Sequence, residues 1–318
     1  MNSENQVQPS DHQSVVGVIG LGAMGRPMAR LLATAHAGVK VTSSRAKDDV
    51  LADLGSSLSP ETAASKIHWA DNAAQLAKDC DDILLMLPDL PQISQTLEGP
   101  DGILAGLEQR DPAATPLLLL IGSTCSAPGV RALADDLAAR YGERIAIVDA
   151  PVSGGEDGAI QGTLSIMLGG SEALCERAAR VLAPCGTPVR LGELGAGQVA
   201  KACNQLVVSS TIFALGEASV LAERSGLDLA AMWDLLGHGY ASSRLLDSRK
   251  DRLVSGDDSP SGAIKYMRKD LAGANEIAAA TNTDPVLLPL LRQAIDEVIE
   301  AGLGDRDISV TKRFIAER

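Results

Sequence analysis

The sequence predicts an α/β chain in two parts: a parallel sheet with helices on both faces, then an all-helical domain. Three observations carry this. Short aliphatic and β-branched runs alternate with helical patterns through the first half, as successive βαβ units require. From Gly195 onward strand signals stop and apolar residues recur at helical spacing. At the first strand–helix junction stands Gly20-Leu21-Gly22-Ala23-Met24-Gly25, a glycine pattern suited to a tight turn that opens a helix.

Taken in order, residues 1–13 (MNSENQVQPSDHQ) read as a polar, disordered lead-in without the basic start and apolar centre of a secretory signal. The first domain is expected over 14–191. Its strands are predicted at 15–19, 39–42, 67–69, 83–87, 117–121 and 145–148, with two more at 164–168 and 188–191, and a helix over 26–32 follows the glycine turn. The second domain is expected over 192–318, with helices at 197–225, 229–236, 262–281 and 285–301. A length of 318 residues suffices for two cores.

Composition excludes several classes of function. Only 2% of residues are aromatic, too few for a platform that stacks single-stranded nucleic acid. A net charge of -13 repels phosphate backbones and anionic membranes, so the expectation is no nucleic-acid and no membrane partner. The apolar stretch at 206–216 is too short and too interrupted by Ser209, Ser210 and Thr211 to span a bilayer. Five cysteines form no CxxC pair and no metal-ligand grouping. They read as reduced thiols, with no metal site and a cytoplasmic location.

GxGxxG between a strand and a helix is the fingerprint of dinucleotide binding: the glycines let backbone approach a pyrophosphate, and the helix start supplies amide donors. NAD-preferring versions place an acid about 20 residues on. This chain has Thr42-Ser43-Ser44-Arg45 there, and the Ser44 hydroxyl with the Arg45 guanidinium suits a 2′-phosphate, so NADP is favoured over NAD. Leu87-Pro88-Asp89 and Gly122-Ser123-Thr124 end the fourth and fifth strands at the edge where open α/β sheets bind ligands.

Lys201 is the only charged side chain between Glu193 and Glu217. An arbitrary lysine snorkels to water. A buried one must find a partner or ligand, or lose its charge.

Together these motifs resemble the β-hydroxyacid dehydrogenases, the group that includes 3-hydroxyisobutyrate dehydrogenase and tartronate semialdehyde reductase. The similarity rests on GVIGLGAMGRPMA at 17–29, MLPDLPQ at 86–92, DAPVSGGEDGAIQGTLSIMLGG at 149–170, GAGQVAKACNQ at 195–205, KDL at 269–271 and GLGDRDIS at 302–309. The resemblance implies a Rossmann-like domain, a helical second domain with the active-site cleft between them, and a homodimer or homotetramer. It implies that Lys201 is the catalytic lysine and that Ser123, Ser153, Gly154 and Gly155 anchor a carboxylate-bearing substrate. It also places Leu87, Pro88, Gln92, Thr124 and Lys269 on coenzyme-contacting positions. A Ser-Gly-Gly turn suits the anchoring role, because it exposes backbone N–H groups without side-chain obstruction.

The chain departs from the family pattern in having Ile121 where Asp is frequent and Gln205 where Asn is frequent. Asn204 and Gln205 follow Lys201 by three and four residues and can share its helix face with Gln198, so either amide could orient a substrate hydroxyl. The Asn-Gln pair also occurs in tartronate semialdehyde reductases. The expected reaction is hydride transfer between nicotinamide and a small semialdehyde or β-hydroxyacid, with Lys201 as general acid and base. Two alternatives stand beside it: an imine reductase of the same fold, a class that usually lacks this lysine, and a nicotinamide-binding regulator without turnover. His238, Tyr240 and Arg244, in the segment 237–245, are expected either to close over the substrate or to form an exposed loop.

Overall fold

In a computed structural model of the chain, residues 14–56 and 58–318 are described; the expected lead-in at 1–13 lies outside them. The chain divides into two compact units, the residues up to Gln198 and Val199–Arg318.

The first unit contains β1 (Val15–Ile19), β2 (Gly38–Thr42), β3 (Ile67–Trp69), β4 (Asp82–Leu85), β5 (Leu117–Ile121), β6 (Ile145–Asp149), β7 (Val152–Ser153), β8 (Leu164–Gly169) and β9 (Gly186–Gly192). Its helices are α1 (Gly25–Ala35), α2 (Lys47–Gly55), α3 (Pro60–Lys66), α4 (Ala73–Asp79), α5 (Leu90–Leu97), α6 (Ile103–Glu108), α7 (Ala127–Tyr141), α8 (Gly155–Gln161) and α9 (Glu172–Leu182). The strands form one sheet in the order β3-β2-β1-β4-β5-β6-β8-β7, with β9 paired to β8. β1 to β6 run parallel. This is the Rossmann-like order, and its direction of winding reverses between β1 and β4, where such sheets open a crevice at their carboxyl ends.

The far edge departs from the all-parallel expectation, since β8 runs antiparallel to both β6 and β7. The connection carries only α8, seven residues spanning roughly 10 Å. That is short of the roughly 17 Å needed to return along a five-residue strand, so the chain reverses at Gly162, whose φ is 67°. The two-residue β7 has too little pattern to be seen in sequence.

Side chains alternate across the sheet. In β5, Leu118 and Leu120 join the core on one face, while Leu117, Leu119 and Ile121 join the core on the other. Being buried on both sides, the strand reads as a continuous apolar run rather than an alternating one. α1 covers the first face with Met28, Ala29, Leu32 and Ala33.

α10 (Ala196–Arg224) opens the helical part and is followed by α11 (Leu229–Leu236), α12 (Arg244–Ser255), α13 (Tyr266–Ala280), α14 (Leu288–Glu300) and α15 (Thr311–Glu317). Ile212, Phe213 and Leu215 of α10 pack with Trp233, Leu246, Leu271, Ile295 and Val298 in a core of their own. α10 extends well beyond the apolar segment 206–216; by length and composition it could cross a membrane, a test that core helices also pass, and 44% of its most apolar window is buried. α12 has no counterpart among the expected helices. Ser243 caps it by accepting the Leu246 N–H at 3.0 Å, so Arg244 begins a helix, while His238 and Tyr240 stay in an exposed loop. α13 starts at Tyr266 rather than 262, because Ala263 is held in a β-bridge with Asp307.

Candidate active site

In the first unit the glycine turn lies between β1 and α1, beside the segment that leaves β4. Gly20 has φ 99°, and a Cβ there would lie 2.3 Å from the Met86 carbonyl oxygen, so only glycine fits. A Cβ at Gly25 would lie 1.8 Å from the Gly20 carbonyl oxygen, which makes this glycine the packing contact of helix on turn. Gly22 differs: a Cβ there meets no atom of the described residues within 4 Å. Neither packing nor φ demands glycine at that point, and the open space in front of it would admit a pyrophosphate. No side chain caps α1 and no acidic residue lies in its first turn, so its positive end is left for an anion. Leu21, Ala23 and Met24 complete this turn. The residues present fit a dinucleotide.

Ser44 and Arg45 follow β2. Arg45 is half exposed and pairs with Asp53 at 3.5 Å; Arg26 and Arg30 reach the same carboxylate at 3.2 Å. Burial pushes the Asp53 carboxyl up, yet the hydrogen bond and charge of Arg26 and the nearby Arg30 and Arg45 outweigh it and hold the group below its ordinary range. Sequence reasoning found Arg45 but missed Asp53, Arg26 and Arg30, which meet across helix-length separations. Leu87 and Pro88 leave β4 toward Asp89, which caps α5 by accepting the Gln92 N–H at 2.9 Å. Ser123, after β5, is buried and donates its hydroxyl to the Leu85 carbonyl at 3.3 Å, with Thr124 next to it. Ser153 ends β7; Gly154 and Gly155, at φ 141° and 66°, open α8.

In the second unit α10 and α13 bring a group of polar side chains together. Lys201 is buried. Desolvation lowers its pKa; the Asp270 charge opposes this, and the Lys269 charge adds to it. Asp270 is buried as well, and desolvation raises its pKa against the pull of Lys201 and a hydrogen bond from Gln205. The Gln205 Nε2 donates to Asp270 Oδ2 at 2.5 Å, and Asn204 Nδ2 donates to Gln205 Oε1 at 2.9 Å. Both polar ends of Gln205 are thus occupied inside the protein. Sequence reasoning placed Asp270 in the KDL motif without a role; its neighbour Lys269 was the available signal.

The sequence model of the NAD binding domain of 6-phosphogluconate dehydrogenase matches residues 15–196, and that of the NAD-binding region of NADP-dependent 3-hydroxyisobutyrate dehydrogenase matches residues 195–315. The chain is 36% identical over 267 residues to 2-hydroxy-3-oxopropionate reductase of Escherichia coli K12, covering 83% of this chain and 84% of that one. It is 31% identical over 306 residues to L-threonate dehydrogenase of the same strain, covering 95% and 94%. The crystal structure of 3-hydroxyisobutyrate dehydrogenase from Salmonella typhimurium superposes with a TM-score of 0.78 at 28% identity, covering 95% of this chain and 99% of that one. With its glycine turn, sheet order and matched halves, the chain belongs to the β-hydroxyacid dehydrogenase family and is an NAD(P)-dependent oxidoreductase.

Proposed function

We propose that the protein interconverts a small semialdehyde and its β-hydroxyacid, with Lys201 as general acid and base and NADP(H) as the favoured coenzyme. The observation that carries the proposal is Lys201 itself: an amine buried on an apolar helix, its pKa lowered by desolvation. A lysine so placed comes nearer the pH at which it both gives and takes a proton. The bound nicotinamide supplies or accepts the hydride. In the reducing direction Lys201 protonates the carbonyl oxygen as negative charge develops there, help worth about 10²–10⁴-fold; in oxidation it removes the hydroxyl proton. Asp270 tempers the loss of charge on Lys201, and Gln205 holds Asp270 in place. Ser123 and the Ser153-Gly154-Gly155 turn take the substrate carboxylate.

Arg26, Arg30 and Arg45 share Asp53, and Arg26 also approaches Glu156 at 3.7 Å. Three cations against two carboxylates, with the half-exposed Arg45 next to Ser44 in sequence, support a 2′-phosphate and hence NADP(H). The names of the relatives support a small polyhydroxy or branched acid as substrate. The reading extends to a cytoplasmic homodimer or homotetramer, in keeping with five free thiols.

A screen of tartronate semialdehyde, methylmalonate semialdehyde, succinate semialdehyde and glyoxylate with NADPH and with NADH, on wild type and Lys201→Ala, tests the reading. Turnover of at least one compound, preference for NADPH, and loss of about 10²-fold or more in kcat with NADPH affinity retained are expected. Wild-type kcat in Lys201→Ala would sink the acid–base role, and a strong NADH preference would sink the coenzyme assignment.

A further inference from the structure

The end of β6 and the start of α10 are joined by contacts that none of the roles above uses. Asp149 closes β6 and is fully buried. Its Oδ1 accepts the Gly195 N–H at 2.6 Å and its Oδ2 accepts the Gln198 N–H at 2.7 Å. One carboxylate therefore satisfies two amides at the amino end of a helix, where the dipole favours negative charge. The fit is close: a Cβ at Gly169 would lie 2.2 Å from Asp149 Oδ1, and one at Gly197 would lie 2.8 Å from Oδ2. Arg131 of α7, which donates to the Leu194 carbonyl at 2.8 Å, faces this carboxylate with its charge, and Cys175 of α9 feels it.

Gln198, its backbone held by Asp149, sends its side chain to the end of β5. Its Oε1 accepts the Cys125 N–H at 2.8 Å, and its Nε2 donates to the Ser123 carbonyl at 2.9 Å. Gln198 is buried, so both ends of one amide are committed to backbone on either side of Thr124. A side chain that merely filled this space would need neither polar atom. An amide that supplies one acceptor and one donor to a two-residue gap fixes the conformation of what lies between.

We propose that Gln198 is a positioning residue for the turn formed by Ser123, Thr124 and Cys125, and that Asp149 is the anchor that sets Gln198 at the required height. The proposal rests on the reading of Ser123 and Thr124 as groups that meet substrate and coenzyme. Through Gln198, the first turn of α10 holds the ligand-facing ends of β5 and β6 in fixed relation.

The test uses the full chain and three variants, Gln198→Met, Gln198→Glu and Ser123→Ala. The assays are steady-state kinetics on the best-turned-over carbonyl of the screen above, NADPH affinity by fluorescence, and thermal melting. Gln198→Met keeps the shape and removes both hydrogen bonds; with the turn no longer held, KM or the NADPH Kd is expected to rise by about tenfold or more, the order that a small misplacement of a positioning group costs. Gln198→Glu carries the sharper signature. Ionised, it still accepts from Cys125 but repels the Ser123 carbonyl; protonated, it restores both bonds. Its defect relative to wild type should therefore shrink as pH falls, whereas that of Gln198→Met stays constant. Taking the ratio to wild type at each pH cancels Asp149, Arg131 and Lys201, the ionisable groups around the start of the helix that all these proteins share.

If Gln198→Met lowers only the melting temperature and leaves KM and Kd at wild-type values, the residue is structural and the proposal is overturned. A pH-independent defect in Gln198→Glu overturns it as well, and remains measurable if the methionine variant does not fold. Wild-type kinetics in Ser123→Ala would instead overturn the reading on which the proposal stands.

Discussion

Gly22→Ala separates folding from coenzyme binding. An alanine Cβ at this position meets no atom of the described residues within 4 Å, and Gly22 is not among the glycines with positive φ. The substitution should leave the fold intact and, by restricting the unfolded chain, add about 0.4–1 kcal/mol of stability. On the proposed coenzyme placement, the methyl group would occupy the space through which a pyrophosphate reaches the amides at the start of α1. Each hydrogen bond to a charged group is worth about 1.5–3 kcal/mol, so losing two weakens binding by roughly 10²–10⁴-fold in Kd. Gly25→Ala is the control of opposite sign. Its Cβ would stand 1.8 Å from the Gly20 carbonyl oxygen, backbone that cannot move without opening the turn. A cost of about 3 kcal/mol lowers the melting temperature by roughly 6–12 °C in a unit the size of the first one, which ends at Gln198. Thermal melting with and without NADPH reads both effects, because ligand at 100 times its Kd stabilises the native state by about 2.7 kcal/mol. Gly22→Ala should melt at or slightly above the wild-type temperature and show no NADPH-dependent shift. A wild-type Kd for NADPH in Gly22→Ala would refute the placement of the pyrophosphate; a wild-type melting temperature in Gly25→Ala would refute the packing argument.

Asp270→Asn removes the charge that holds up the Lys201 pKa, so the limb of the pH–rate profile governed by Lys201 should move to lower pH; an unmoved or raised limb contradicts the pairing. Arg45→Ala should raise KM for NADPH by about tenfold while leaving that for NADH nearly unchanged, since a 2′-phosphate is the only difference between the two; equal effects would assign Arg45 elsewhere. Burial pushes the Cys80 and Cys185 thiols up to about 12, whereas Cys203 is exposed. Iodoacetamide at pH 8 should therefore label Cys203 in the native protein and reach the other two only in denaturant, as mass spectrometry can show.

Much of the scaffold is legible in the chain because its signals are local. The strands at 15–19, 67–69 and 117–121 agree with β1, β3 and β5 to the residue; β1 and β5 are runs of β-branched or aliphatic residues that end at a glycine, and β3, Ile67-His68-Trp69, is a short stretch of strand-favouring residues after Lys66. Glycine roles are legible too, because GxGxxG encodes turn, approach and packing in six residues. What escapes is long-range pairing. Gln198 meets Cys125 and Ser123 across 73 and 75 residues, and Gln205 meets Asp270 across 65. Nothing at Gln205 distinguishes an amide that meets substrate from one occupied by a buried carboxylate. α12 escapes for a different reason. Its segment, RLLDSRKDRLVS, is so rich in charge that few buried positions, Leu246 and Leu253, mark the inward face.

The run Leu117–Ile121 that anchors the centre of the sheet is also the part of the chain most exposed to misassembly during synthesis. Five consecutive aliphatic residues without charge, proline or glycine have the composition of self-associating β-segments. In the native sheet β4 and β6 occupy both of its edges and helices cover both faces, so it offers no template to another molecule. Until β6 has been made and paired, one edge stays open. Asp111 upstream, exposed in the folded protein, acts as a charged gatekeeper over that interval, and a polar substitution there should lower soluble yield while leaving the melting temperature little changed. Arg110 beside it is buried and bonded to the Ala77, Cys80 and Thr115 carbonyls, so its replacement should lower the melting temperature as well.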